Sequence, residues 1–346
     1  MMDEVDSKGW VREIWVDDVK VIACLLVLLG HFFQSMTKAG ILPAGRLYQW
    51  FEGTIYLFHV PLFFICSGYL YQRYNKVDSW DTWRENMWRK LWTLGIPYLT
   101  FSFITWSLKT IFSDAVNNQV SGLLGSLFLQ PISPYWYLYA LLFIFIVTPT
   151  FQIKKTALIG MGIALSGKVL SWTIRGSMPY AVSTVLANEI WFVGGMCLSM
   201  CKLHPAKKRV AGYGIAGISL FLITSVMYHI LGWKDSLLDL LLGGFACASI
   251  IVTVMALTAD RGQSRYVRSL AKYTLPIFLM HTLFAAPLRS ILLRVGIRDA
   301  GVHVIAGIGI SISGPIVAAK IMEKSKWMLF FLYPRKILEN KAGGHH

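Results

Sequence analysis

About ten apolar runs, each long enough to cross a bilayer as a helix, divide the 346-residue chain. A transmembrane helix needs about 20 apolar residues, because each residue adds about 1.5 Å across a hydrocarbon core about 30 Å thick. Charged residues make up only 15% of the sequence. The runs lie near residues 18–36, 48–71, 91–112, 135–152, 156–174, 181–200, 210–231, 236–258, 273–294 and 301–320. The sequence therefore predicts an all-α, polytopic transmembrane helical bundle of about ten helices.

Positive charge is distributed unevenly among the loops between these runs. Most of the 33 Lys and Arg residues fall in the loops and tails on the side of the N-terminus. Short loops rich in Lys and Arg stay in the cytoplasm, so this pattern predicts that both termini are cytoplasmic. We expect a cytoplasmic N-terminal arm at 1–17, a transmembrane domain at 18–320 and a cytoplasmic C-terminal tail at 321–346.

The net charge of +15 is also typical of nucleic-acid-binding proteins. Here, however, the basic residues are split among short loops, which suits membrane orientation and anionic lipid better than a nucleic-acid groove. The expected partner is the lipid bilayer, and no nucleic acid is expected. The cysteines lie within or beside apolar runs at spacings that match no metal template, so we predict neither a metal site nor disulfides.

Lys20 and His31 are the most informative ionisable pair in the first apolar run. Eleven residues at about 100° each come within roughly 20° of three turns, so both side chains share one helix face, about 16 Å apart along the axis. If Lys20 marks the water interface, His31 lies near the bilayer midplane, where an ionisable group is a functional candidate. The alternative is a neutral histidine that bonds a neighbouring helix. Asp17 is three residues before Lys20, where it could position Lys20 or merely neutralise it.

Three stretches carry recognisable motifs. The first runs from Trp15 to His31, with ten residues between a basic residue and a histidine; the second is FHVPLFFICSGY at 58–69; the third is RKLWTLGIPY at 89–98. Weaker matches lie at 136–138 and 273–281. Together they resemble the acyltransferase-3 family of integral membrane O-acyltransferases. The chain departs from the family's pattern at Lys20, where arginine is common, and in the third motif, where an Arg-x-x-Arg pair is frequent.

This resemblance implies a bacterial-type, multi-pass enzyme of the inner (cytoplasmic) membrane. Such an enzyme transfers an acyl group, most often acetyl, from cytoplasmic acyl-CoA to a hydroxyl of a lipid-linked or cell-surface glycan. The transfer requires a base for the hydroxyl proton, and His31 is the natural candidate, with Lys20 and Asp17 as its electrostatic partners. The phosphates of acyl-CoA would bind to a basic cluster, although ordinary positive-inside charge explains each of its members equally well. This cluster consists of Arg84, Arg89 and Lys90.

Four further residues are candidates for contacts with the acceptor or the thioester. His59 precedes Pro61, which is expected to interrupt hydrogen bonding inside the second helix. Trp136 could stack on a sugar or belong to an interfacial belt. Glu189 is an intramembrane carboxylate that could contact the acceptor or pair with a lysine at similar depth, and His281 is a modest candidate in the ninth run.

Two other classes of function fit the composition. In a transporter or flippase of a glycan lipid, the intramembrane His and Glu would relay protons or bind substrate. In a sensor or assembly subunit without chemistry, acyl-CoA would not bind and His31 would tolerate substitution. Paired interrupted helices in two symmetric halves would favour a transporter, and the sequence shows no such symmetry.

Overall fold

A computed structural model describes residues 12–113, 120–174, 176–201, 208–233 and 235–342. The described residues form helices joined by short connections, which confirms the all-α fold class. The helices are α1 (Ile14–Lys38), α2 (Arg46–Tyr56), α3 (His59–Tyr74), α4 (Trp80–Lys90), α5 (Ile96–Ile111), α6 (Trp136–Val147), α7 (Lys154–Thr173), α8 (Tyr180–Met200), α9 (Lys208–Ile230), α10 (Ser236–Arg261), α11 (Arg265–Lys272), α12 (Thr274–Arg294), α13 (Ala300–Met322), α14 (Lys326–Leu332) and α15 (Pro334–Ala342).

Seven segments of the described chain are long and apolar enough to cross a membrane. They are Ile14–Lys38, Arg46–Tyr74, Tyr180–Met200, Arg209–Ile230, Ser236–Asp260, Thr274–Arg294 and Ala300–Met322. The other three predicted spans correspond to α5, α6 and α7, of which α5 has 16 residues and α6 has 12. The polytopic helical bundle is confirmed, whereas the count of ten and the cytoplasmic termini stay predictions.

The second and third predicted helices differ from the structure at their ends. The second is interrupted at Leu57 and Phe58, between α2 and α3, before Pro61 and not at it. Pro61 lies in the first turn of α3, where its missing N–H is not needed for helical hydrogen bonding. The third begins earlier than expected, because α4 runs through a π-helical turn (Leu91–Gly95) into α5.

Helices α3 and α8 pack backbone to backbone at the centre of the bundle. Gly68 of α3 faces the backbone of Phe192, and Gly195 of α8 faces the backbone of Ile65. A Cβ added to either glycine would overlap a carbonyl of the facing helix. Small residues allow helices to approach this closely in lipid. Helix α1 packs against both α3 and α12.

The C-terminal segment, expected to be a tail, is folded through residue 342. Leu332 of α14 is fully buried, and the ring of Phe330 lies 6.1 Å from that of Trp92. Helix α15 packs against the π-helical turn that precedes α5. The C-terminal segment therefore covers the region where the third motif begins. Most of the predicted N-terminal arm, residues 1–11, lies outside the described residues.

Candidate active site

A cavity of about 410 Å³ opens between α1, α5 and α12. Its wall includes His31 of α1 and Ser133 of the loop before α6. Four cationic side chains also line it, and these are Lys38, Lys109, Arg289 and Arg294. The cavity thus brings a titratable imidazole together with a concentration of positive charge, at the C-terminal end of α1.

His31 has few strong contacts in this cavity. Its Nε2 lies 3.5 Å from Oγ of Ser133, at the outer limit of a hydrogen bond. Its ring stacks on that of His281, with centroids 5.6 Å apart and planes at 30°. The imidazole is therefore held in place by stacking, while one ring nitrogen has only a long, weak partner. Such a nitrogen can accept a proton from a hydroxyl group that enters the cavity.

His281 supports His31 from α12. Its Nδ1 donates to the carbonyls of Ile277 and Phe278 at 3.0 Å each, so Nε2 is the acceptor nitrogen of a neutral ring. That Nε2 is buried, and no described residue bonds it. The structure thus brings His281 next to His31, 250 residues away in the chain. His281 does not line the cavity as described, so its predicted contact with substrate stays a prediction.

Tyr135 lies two residues after Ser133 and is anchored inside the bundle. Its fully buried hydroxyl donates to the carbonyl of Leu279 at 2.9 Å and lies 2.8 Å from Oγ1 of Thr105. These contacts attach the start of α6 to α5 and α12. Trp136 follows directly and packs, partly buried, against the core, and it does not line the cavity as described. Its predicted contact with substrate stays a prediction.

Sequence reasoning did not single out Arg289. This arginine is buried, with 7% of its surface exposed, and donates to the backbone carbonyl and the hydroxyl of Ser35. A signal was present, because Lys38 follows His31 by two helical turns and Arg289 follows His281 by about the same interval. In α1 and in α12, a histidine and a cation about two turns later therefore lie on the same side of the helix.

A second basic region lies at the opposite end of α1. The Nζ of Lys90 is 3.8 Å from the centre of the Phe145 ring, and Lys90 lies outside the seven apolar spans. Its burial, together with the charges of Arg89, Lys20 and Arg335, lowers the pKa of Lys90 to about 7. The structure thus brings Lys20, Arg89 and Lys90 together and adds Arg335 from α15.

Arg84 does not join this region. It is exposed and forms an ion pair with Asp81, one turn earlier on α4, at 3.5 Å. Arg89 instead donates to the side-chain oxygens of Asn75 and Asn86. The predicted donor cluster is therefore divided, because five residues of helix turn Arg84 to a different face from Arg89.

The remaining candidates have partners inside the bundle. Asp17 pairs with Arg12 at 2.6 Å and not with Lys20. His59 is buried, and its Nδ1 donates to the carbonyl of Ile55 at 2.5 Å. Glu189 accepts a hydrogen bond from Thr148 at 2.8 Å. Neither His59 nor Glu189 lines the cavity as described, so their substrate contacts stay predictions.

The expected pairing of Glu189 with a lysine is not among the ion pairs of the described residues. Lys168, which lies at similar depth, donates to the carbonyl of Ala187 at 2.9 Å. A backbone carbonyl can satisfy an ammonium group in lipid, and the Thr148 hydroxyl satisfies the carboxyl. The Lys168 ammonium and the Glu189 carboxyl therefore each have a hydrogen-bond partner of their own.

Comparison with known protein families identifies the family to which the chain belongs. A family model described as an acyltransferase domain matches residues 13–320, which is most of the chain. The chain belongs to the acyltransferase-3 family. The matched range includes the three sequence motifs and every residue that lines the cavity.

Two curated proteins are similar to parts of this chain. Nodulation protein NolL of Mesorhizobium japonicum is 29% identical over 136 residues, which cover 39% of this chain and 35% of NolL. Inner membrane protein YcfT of Escherichia coli is 26% identical over 178 residues, which cover 45% of this chain and 48% of YcfT. The matches therefore span less than half the length of either relative. No solved structure matches the chain.

Proposed function

We propose that this acyltransferase moves an acyl group, most simply acetyl, from acyl-CoA to a hydroxyl of a glycan or glycolipid at the inner (cytoplasmic) membrane. The single observation that carries the proposal is His31, a weakly bonded imidazole in the wall of a 410 Å³ cavity. The family supports acyl transfer, and the name of YcfT suggests the inner membrane. The donor, the acyl chain and the acceptor belong to the proposal.

In the proposed step, the acceptor hydroxyl attacks the carbonyl carbon of the thioester while Nε2 of His31 takes the hydroxyl proton. The resulting tetrahedral intermediate collapses, so the C–S bond breaks and an ester remains on the acceptor. The departing thiolate takes the proton back from the imidazolium of His31, and CoA leaves as the thiol. Ser133, whose hydroxyl lies beside His31, is a suitable hydrogen-bond donor to the developing oxyanion.

The donor is proposed to enter at the other end of α1. There the charges of Lys20, Arg89 and Arg335 act on Lys90 and contribute to its lowered pKa. Phosphates bind such groups through charge-assisted hydrogen bonds. Lys20 and His31 are about 16 Å apart along the helix axis. The nucleotide would stay at the basic end, while the extended arm of CoA carries the thioester toward His31.

The experiment that tests this function uses membrane vesicles from cells that express the protein, incubated with radiolabelled acetyl-CoA. We expect label in a lipid or glycan fraction that mild alkali releases, since esters are labile and amides are not. His31→Ala should abolish the labelling at equal expression. His229→Ala is the matched control, because His229 bonds Ser225 in α9, away from the cavity. Equal labelling by His31→Ala and wild type would overturn the proposed mechanism.

A further inference from the structure

We propose that the acceptor of this acyltransferase carries a phosphate group, which Lys38, Lys109, Arg289 and Arg294 hold in the cavity beside His31. The inference rests on the proposed function, in which the acceptor hydroxyl occupies that cavity. It adds the chemical class of the acceptor, namely a phosphate-bearing glycan or polyprenyl carrier.

The charge of the cavity is the first argument. Its described lining contains four cations and no Asp or Glu side chain. The ion pairs found among the described residues include none of these four cations. Cations that line one cavity without counter-charge repel one another and focus a positive potential in it. A bound anion relieves this repulsion, so the cavity favours an anionic ligand over a neutral sugar.

Helix dipoles explain only part of this arrangement. Lys38 and Arg294 end their helices and Lys109 lies in the last turn of α5, where positive charge is favourable without any ligand. Arg289 lies more than a turn before the end of α12 and is buried. The carbonyl and hydroxyl of Ser35 accept hydrogen bonds from its Nη1 but bring no negative charge. Among the four cations, Arg289 is therefore the one whose place neither a helix end nor an ion pair of the described residues explains.

The geometry of Arg289 suits a phosphate. Both of its bonds to Ser35 leave from Nη1, whereas a guanidinium carries five N–H donors in a planar fork. That fork matches two oxygens of one phosphate, and Lys109 and Arg294 add charge at the same cavity. Four positive charges exceed what a single carboxylate neutralises, which favours a phosphate or diphosphate.

Placement ties the anion to the reaction. His31 and the four cations line one cavity of about 410 Å³, so a phosphate on the cations and a hydroxyl at Nε2 would belong to one ligand. Gln34, Ser35 and Ser133 also line the cavity and can bond sugar hydroxyls. The phosphate would thus anchor the acceptor, and its position would determine which hydroxyl reaches the base.

The test measures thermal unfolding of the full chain in phosphatidylcholine nanodiscs, with glucose 1-phosphate, a polyprenyl phosphate or glucose added. We expect concentration-dependent stabilisation by at least one phosphate and none by glucose. Lys109→Gln combined with Arg294→Gln should raise the apparent Kd about tenfold or more, because charge-assisted contacts are lost. Lys154→Gln, which removes one charge at the exposed start of α7, is the matched control and should bind like wild type.

The remaining outcomes either identify the source of the phosphate or overturn the inference. Stabilisation by the polyprenyl phosphate alone identifies a lipid source, and stabilisation by glucose 1-phosphate identifies a soluble one. No stabilisation by either phosphate, or stabilisation that the double variant retains, overturns the inference. It is also overturned if the double variant loses binding of free CoA while Lys90→Ala keeps it, since the cations would then hold the donor.

The inference and the proposed function can fail separately. If the phosphates bind as expected but labelling from acetyl-CoA does not depend on His31, the anion site stands and the proposed mechanism falls. If labelling depends on His31 but no phosphate stabilises the protein, the proposed function stands and the acceptor is not anionic.

Discussion

Two positively charged regions lie at opposite ends of α1 and differ in how the protein stabilises them. In the region of Lys90, an aromatic ring lies against the ammonium group and the carboxamides of Asn75 and Asn86 bond Arg89. In the region of Arg294, the cations border a cavity and take no part in the ion pairs of the described chain. Packed cations keep their geometry without a ligand, whereas cations around a cavity gain most from one.

This difference is consistent with the separate tasks proposed for the two ends of α1. The pre-formed region suits a donor that binds in the same way at every turnover, because little reorganisation is needed on binding. The cavity suits an acceptor that must bring its hydroxyl to His31 and leave as a larger product. Variants that separate donor binding from acyl transfer therefore test whether the two regions are distinct.

The largest effect is expected for His31→Ala. Loss of a general base lowers a rate by about 10²- to 10⁴-fold, so acyl transfer should fall below detection. Stabilisation of the protein by CoA should be unchanged, because the nucleotide is proposed to bind about 16 Å away. The two measurements are label transfer in vesicles and thermal unfolding with CoA. If folded His31→Ala lost both acyl transfer and stabilisation by CoA, the donor and the acceptor would share one site.

A smaller effect is expected when Arg89 and Lys90 are both changed to Ala. Each loses charge-assisted bonds to phosphate, so the apparent Kd for CoA should rise about 10- to 100-fold. The shift in unfolding temperature with free CoA measures this change. Binding of glucose 1-phosphate in the cavity should be unaffected, which serves as the internal control. If CoA stabilised the double variant as much as wild type, the donor would not bind at this end of α1.

The class of fold and the placement of Lys20 and His31 on α1 could be predicted from the sequence, because they depend on local periodicity. The interval between Lys20 and His31 fixes their shared face within one helix, and the apolar runs fix the class of fold. The adjacent Arg89 and Lys90 begin the third motif and follow from the family resemblance. A feature that lies within one helix, or in the residues next to it, can be predicted from the sequence of that segment alone.

The rest depends on contacts between distant segments, which periodicity does not encode. The stacking of His31 on His281 requires α1 to pack on α12, and Arg335 reaches the basic region only because α15 folds back. Arg289 lies near the end of the ninth apolar run in the sequence, and only its burial in α12 distinguishes it from the other cations there. The partner of Asp17 was missed because Arg12 lies outside the helix that sequence reasoning considered.

The pH dependence of CoA binding is a further way to distinguish the Lys90 region from the cavity. Lys90 has a pKa lowered to about 7, so its protonated, phosphate-binding form declines as pH rises above that value. Phosphate monoesters are already dianions from pH 7.5 upward, since their second pKa is about 6. The apparent Kd for CoA should therefore increase several-fold, at most about tenfold per pH unit, between pH 7.5 and 9.

Lys90→Arg provides the control for this dependence, because a guanidinium does not titrate in this range. Its affinity for CoA should change little between pH 7.5 and 9. If wild type and Lys90→Arg show the same slope, another group controls binding and Lys90 does not contact the phosphates.

The smallest effects separate Arg335 from Arg84. Arg335 lies near enough to Lys90 to lower its pKa, whereas Arg84 is exposed and paired with Asp81. Arg335→Gln should therefore weaken CoA binding by roughly two- to fivefold, and Arg84→Gln should leave it unchanged, because exposed ion pairs contribute little. Isothermal titration with CoA measures both. The reverse order would place the nucleotide along the exposed face of α4, and the packed region would then serve only to hold α15 on the bundle.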